Sequence, residues 1–161
     1  ATMLKDSPNI GSGLITLRND PRVTPVGGFL RRTKINELPQ ILNVLKGDMS
    51  IVGPRPLVDK TFNACPEEIR YKVYDSKPGI TGIGSIVFRD EEKLLSETSL
   101  PPAVFYDTVI APYKGELEIW YNRRKSFMVD MQIIFLTAWV IVFPESTLMF
   151  KIFPDLPKRT F

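Results

Sequence analysis

Between Phe29 and Pro56 the chain, FLRRTKINELPQILNVLKGDMSIVGPRP, leaves itself little conformational choice. Leu38, Ile41, Leu42 and Leu45 recur at i, i+3, i+4 and i+7, so a helix over Glu37–Lys46 gathers them into one apolar stripe. Asn36 is placed to cap that helix, its amide oxygen accepting from an orphan backbone N–H. Glu37 then falls in the first turn, where the positive end of the helix dipole favours an anion. Pro39 is tolerated so early because its missing N–H would have had no intrahelical partner. Gly47 closes the helix as a C′ residue. In Gly53-Pro54-Arg55-Pro56 two prolines fix φ around one arginine and hold its side chain in a stiff corner. A carboxylate at a helix start beside basic residues suits a site for phosphate and a divalent metal.

The rest of the chain reads as short elements. Residues 1–28 are rich in Gly, Pro, Asn and Ser, a loop with a short strand or hairpin around Leu14–Leu17. Phe29–Lys34 reads as a short helix showing its arginines to one side. Cys65 or Pro66 to Val73 looks helical, Lys77–Gly82 a turn, and Ile83–Phe88 a strand. Arg89–Glu97 and Pro101–Ala111 read as helices. So does Lys114–Arg124, with Leu117, Trp120 and Tyr121 on one side. From Phe127 to Phe143 only Asp130, Gln132 and Thr137 are polar. The MQIIFLTAWVIVF run after Asp130 spans only about 20 Å as a helix, too short to cross a bilayer. A buried core helix and an interfacial helix anchored by Trp139 and the Phe residues fit it equally. The architecture expected is one compact α+β domain over residues 1–161, mostly helical, with short strands and amphipathic interfacial helices.

Composition removes several chemistries. There is no histidine, so Ser-His and Cys-His pairs and His-ligated metals are excluded. Cys65 is the single cysteine, so no intrachain disulfide forms. Catalysis must then rest on carboxylates, Arg, Lys, Tyr or a metal. The net charge is +3, yet Arg22, Arg31, Arg32 and Lys34 fall between Pro21 and Ile35 with no acid among them. Nucleotide phosphates, anionic lipid and nucleic acid all suit such a patch. No recognition-helix or aromatic RNA-binding pattern accompanies it, so no nucleic-acid partner is expected.

Four motifs in series, DPRVTPVGGFLRRTKI, NELPQILNVLKGDMSIVGPRP, KPGITG and YNRRKSFMVDMQII, make the chain resemble the bacterial sugar transferases, the monotopic polyprenyl-phosphate phosphoglycosyl transferases. The resemblance implies a membrane enzyme on the cytoplasmic face of the bacterial inner membrane. It implies a nucleoside diphosphate sugar, usually a UDP-sugar, as donor, polyprenyl phosphate as acceptor and Mg²⁺ as cofactor. It implies a covalent phosphosugar on the carboxylate of an Asp-Glu pair, at the start of exopolysaccharide assembly. The chain opens at Ala1-Thr2-Met3 and reads as a fragment lacking the family's N-terminal membrane helix.

Carried onto this sequence, the pair falls on Asn36 and Glu37 as catalytic positions. Glu37 and Asp48 are candidate metal-side carboxylates. Arg22, Arg31, Arg32 and Arg55 offer planar forks to phosphate. Lys77 suits nucleotide phosphate or a lipid headgroup, and Tyr121 and Asp130 match a pattern near the family's C-terminus. Asn36 is the departure that matters: an amide is uncharged and a poor nucleophile. An engineered trap, a working variant in which Glu37 acts, and a degenerate member that binds nucleotide sugar or scaffolds a glycan-assembly complex all remain open. After KPGITG the chain reads IGSIVFRDEE, which departs from the family, and no specificity residue is assigned there.

Overall fold

A computed structural model describes residues 2–3, 20–33, 35–55 and 76–159. The expected hairpin at Leu14–Leu17 and helix at 65–73 lie outside the described residues. Helix α1 spans Pro25–Arg32. Thr24 caps it, its Oγ1 accepting from the Gly27 N–H at 3.0 Å, and Pro25 fills the first turn where no N–H is needed. The N-terminal Thr2–Met3 lies against this helix start: Met3 bridges Val23, and Thr24 N–H donates to the Thr2 carbonyl at 3.2 Å. Gly27 is needed there, because a Cβ would fall 2.0 Å from that same carbonyl oxygen.

The expected single helix over Glu37–Lys46 is instead two pieces. A 3₁₀ helix runs Ile35–Gln40 with Pro39 inside it, and α2 follows over Ile41–Lys46. Pro39 is the physical reason: it cannot donate an i→i−4 bond, and the tighter wind carries the chain past it. Asn36 therefore lies inside the 3₁₀ turn rather than capping an α-helix. Gly47 ends α2 at φ 83°, as its missing side chain allows.

Strands β1 (Ser50–Val52) and β2 (Gly79–Thr81) pair in parallel, Ser50 opposite Gly79 and Val52 opposite Thr81. The expected turn at Lys77–Gly82 is thus half strand. The backbones touch: a Cβ on Gly79 would sit 2.2 Å from Gly53 N. Ile83–Phe88 corrects the sequence reading most sharply. It is helix α3, Ile83–Val87, not a strand. Four of its five residues are buried against the two long helices, so all-round burial, not strand alternation, explains its apolar run.

Helix α4 (Glu91–Glu97) follows as expected. Then α5 (Pro102–Phe105) passes through a π-helical turn at Tyr106–Ile110 into α6, Ala111–Arg124. Leu117, Trp120 and Tyr121 of α6 are buried together. Helix α7 runs Phe127–Val142, capped by Ser126 rather than begun at Asp130. Its Ile133, Leu136 and Val140 form the buried stripe. Phe127, Met128, Met131 and Phe135 stay exposed, so the helix is core on one face and bare apolar surface on the other. A last helix, α8 (Leu148–Ile152), and the tail behind it fold back on α6. Trp120 Nε1 donates to Asp155 at 2.9 Å, and Tyr113 OH donates to the Pro157 carbonyl at 2.7 Å. Among the described residues no helix is long and apolar enough to cross a membrane.

Candidate functional site

None of the apolar stripe expected over Glu37–Lys46 is core. Leu38, Ile41, Leu42 and Leu45 are all exposed, and no residue from Ile35 to Lys46 is buried. Leu38, Ile41, Val44 and Leu45 instead form one wall of a cavity of about 540 Å³. Ile51 and Ile80 of the strand pair, Ile86 of α3, and Val140 and Ile141 of α7 form other walls. Thr81 and Thr137, whose hydroxyls hydrogen-bond at 2.6 Å, tie β2 to α7 beside it.

Into this apolar cavity the fold brings three charged side chains: Glu37, Arg55 and Arg89. Glu37 keeps only 16% of its side chain exposed, and Arg55 Nη2 lies 3.7 Å from its Oε1. The Pro-Arg corner therefore holds its cation against the 3₁₀ turn. Arg55 keeps 58% of its side chain exposed, so an anion can reach it. Asn36 is exposed next to Glu37, and its side chain has no hydrogen-bond partner among the described residues.

The other sequence candidates are elsewhere. Arg22 is 3% exposed and pairs with Asp20, donating Nε at 2.8 Å and Nη2 at 2.5 Å. It braces the chain before α1 and offers no open fork. Arg31 pairs with Glu92 at 3.4 Å and reaches Thr2 Oγ1 at 3.5 Å, bridging α1 to α4. The Arg32 side chain lies outside what the structure describes. Asp48 is exposed beyond the far end of α2. Lys77 shares that corner: its Nζ lies 3.8 Å from the site of a Cβ on Gly47. Tyr121 is buried and donates its OH to Asp130 at 2.7 Å, locking α6 to α7. Burial first, then that bond and the Asp130 charge, push the phenol well above its usual range. Neither residue lines this cavity.

Arg89 was missed. It falls in the segment that departs from the family, at the start of the expected helix Arg89–Glu97, where no site residue was assigned. Its one sequence signal is being the first cation after Lys77. No group of three or more Cys, Asp or Glu residues gathers among the described residues to hold a metal.

Comparison with known proteins decides the family. The family model described as bacterial sugar transferase matches residues 1–144. The chain belongs to the bacterial sugar transferase family. The chain is 38% identical to the undecaprenyl-phosphate galactose phosphotransferase of Salmonella typhimurium, over 78% of this chain and 23% of that one. It is 41% identical to the UDP-glucose:undecaprenyl-phosphate glucose-1-phosphate transferase of Escherichia coli, over 76% of this chain and 24% of that one. It is 36% identical to the exopolysaccharide production protein ExoY of Sinorhizobium fredii, over 75% of this chain and 46% of that one. The matched stretch is thus about a quarter of the first two relatives and under half of the third.

Proposed function

We propose that this chain transfers a phosphosugar from a nucleoside diphosphate sugar, a UDP-sugar, to polyprenyl phosphate, so beginning exopolysaccharide assembly at the cytoplasmic face of the membrane. The observation that carries the reading is the placing of Glu37 and Arg55, 3.7 Å apart, in a largely apolar cavity. A prenyl phosphate needs both environments at once: an apolar trough for isoprene units and cations at one end for its phosphate. The exposed apolar face of α7 and the exposed leucines of α2 suit contact with lipid.

Arg55 and Arg89 would neutralise phosphate charge as an anionic nucleophile approaches phosphorus. In the two-step path a carboxylate oxygen bonds to the sugar-linked phosphorus as the bond to the nucleoside monophosphate breaks. The polyprenyl phosphate oxygen then displaces the carboxylate and regenerates it. Mg²⁺ would supply charge neutralisation and polarisation of the diphosphate. Its fit here is that of a metal arriving on the diphosphate, since Mg²⁺ takes one or two carboxylates plus substrate oxygens, and Glu37 is the carboxylate at the cavity. Asp48, at the far end of α2, would not share that ion.

Asn36 favours a second reading: a family member that binds nucleotide sugar, or recruits later enzymes, without turnover. The test is uridine monophosphate release with polyprenyl phosphate, Mg²⁺ and a panel of UDP-sugars, for the native chain, Asn36→Asp and Glu37→Ala. Release by the native chain that dies with Glu37→Ala makes Glu37 the nucleophile. Silence from the native chain with release by Asn36→Asp makes it an impaired transferase. Silence from both, with nucleotide-sugar binding retained, leaves the binding role; silence without binding overturns the transferase reading.

A further inference from the structure

Glu118 sits in the middle of α6 with 7% of its surface exposed, outside the cavity and unused by the chemistry above. Its carboxylate accepts from the backbone N–H of Gly84, the second residue of α3. Helix α3 has no side-chain cap of its own, because Gly82 stands at the capping position. The contact is close: a Cβ on Gly84 would lie 3.0 Å from Glu118 Oε1. A Cβ on Gly82 would lie 2.3 Å from the Gly53 carbonyl oxygen. The two glycines thus let α3 fit between Glu118 and the loop that leads to Arg55. The second carboxylate oxygen, Oε2, is buried with no hydrogen-bond partner.

What α3 carries gives this contact its meaning. Ser85 and Ile86 line the cavity, and Arg89 follows on the turn after the helix. We propose that Glu118 is a positioning residue: by holding the start of α3 against α6 it sets where Ser85 and Arg89 stand relative to Glu37 and Arg55.

The groups around Glu118 bear on its charge. Lys114, one turn earlier on α6, faces it and is itself paired with Glu91 of α4 at 2.6 Å. Tyr121, three residues on, hydrogen-bonds Asp130 of α7. Helix α3 presents backbone N–H and no titratable side chain. Burial pushes the carboxyl up to about 7, against the Gly84 hydrogen bond and Lys114. Opening α3 from α6 would hydrate this carboxyl and let it release its proton, so the hold on α3 weakens as pH rises from about 4.5 to about 7.

Amide hydrogen exchange over residues 79–89, corrected for intrinsic rates, tests this at pH 6 and pH 8. The native chain should protect Gly84–Arg89 more at pH 6 than at pH 8. Glu118→Gln, which keeps an acceptor but cannot titrate, should show the same protection at both pH values. Glu118→Ala should lose about tenfold in protection there, with Ile133–Val140 of α7 unchanged. Native protection in Glu118→Ala, or a native pH response in Glu118→Gln, overturns the proposal. If Glu118→Ala does not fold, Gly84→Ala stands in: its Cβ presses on Oε1, and unaltered protection in it overturns the proposal equally. In a nucleotide-release assay on the Asn36→Asp background, KM for the UDP-sugar should rise about tenfold in Glu118→Ala and return with Glu118→Gln. The activity arm rests on the transferase reading. Silence of the Asn36→Asp parent defeats that reading, while the exchange arm still judges Glu118.

Discussion

Arg55 lies beside Glu37, one held by a proline corner and the other by a proline-bearing 3₁₀ turn. Both backbones are stiffened by the residue that removes an N–H, so the pair is preorganised before any substrate arrives. Arg55→Ala should raise KM for the UDP-sugar about 10- to 100-fold, the worth of one charge-assisted contact. Arg55→Lys should recover only part of it, because a point charge does not reproduce the planar fork. Nucleotide-release kinetics on the Asn36→Asp background measure both.

Membrane contact is expected to run through side chains that the fold leaves bare. Phe127 is 80% exposed and Phe135 53%. Phe127→Asp with Phe135→Asp should lower partition onto anionic vesicles by at least roughly tenfold, from lost apolar burial. The thermal midpoint should stay close to native, since neither ring is part of the core. Co-sedimentation and a melting curve separate the two.

The Tyr121–Asp130 hydrogen bond is expected to serve stability rather than substrate. Tyr121→Phe leaves the carboxylate without its donor and should cost about 1–3 kcal/mol in urea unfolding. Nucleotide-sugar affinity should be unchanged, and a large loss of affinity would return Tyr121 to the substrate site.

Glu118 makes stability depend on pH in an unusual direction. Its folded-state carboxyl is raised from 4.5 to about 7, so between these values the folded chain holds a proton that the unfolded chain has released. Stability is then fully present below about pH 4.5 and falls as pH rises to about 7, by about 3 kcal/mol in total. Glu118→Gln should remove that slope, which urea midpoints at pH 5 and pH 8 report directly.

The long periodic helices were legible because packing and pattern agree. Leu117, Trp120 and Tyr121 read as one side of a helix and are buried as one. Ile83–Phe88 was not legible, since β-branched and aromatic residues favour strands locally while burial between α6 and α7 overrides that preference. The apolar stripe of residues 38–45 was seen correctly, but its destination was not. Periodicity says that four side chains share a face, and nothing in it says whether core, cavity or lipid meets that face. Glu37 and Arg55 were both identified from their local chain geometry, and the structure brings them into one cavity. Arg22 and Tyr121 looked the same on paper as any cation or phenol near a motif, because a sequence does not show that Asp20 and Asp130 already occupy them.

Asn36 stands exposed, touching no polar partner among the described residues, so no hydrogen bond described in the fold depends on it. Asparagine and aspartate codons differ by a single base. A chain with Asn here is therefore one transition mutation from a carboxylate at residue 36, and no polar contact among the described residues would be lost in that step. That one base would exchange an amide for a carboxylate beside Glu37 while the polar contacts described around it stay as they are.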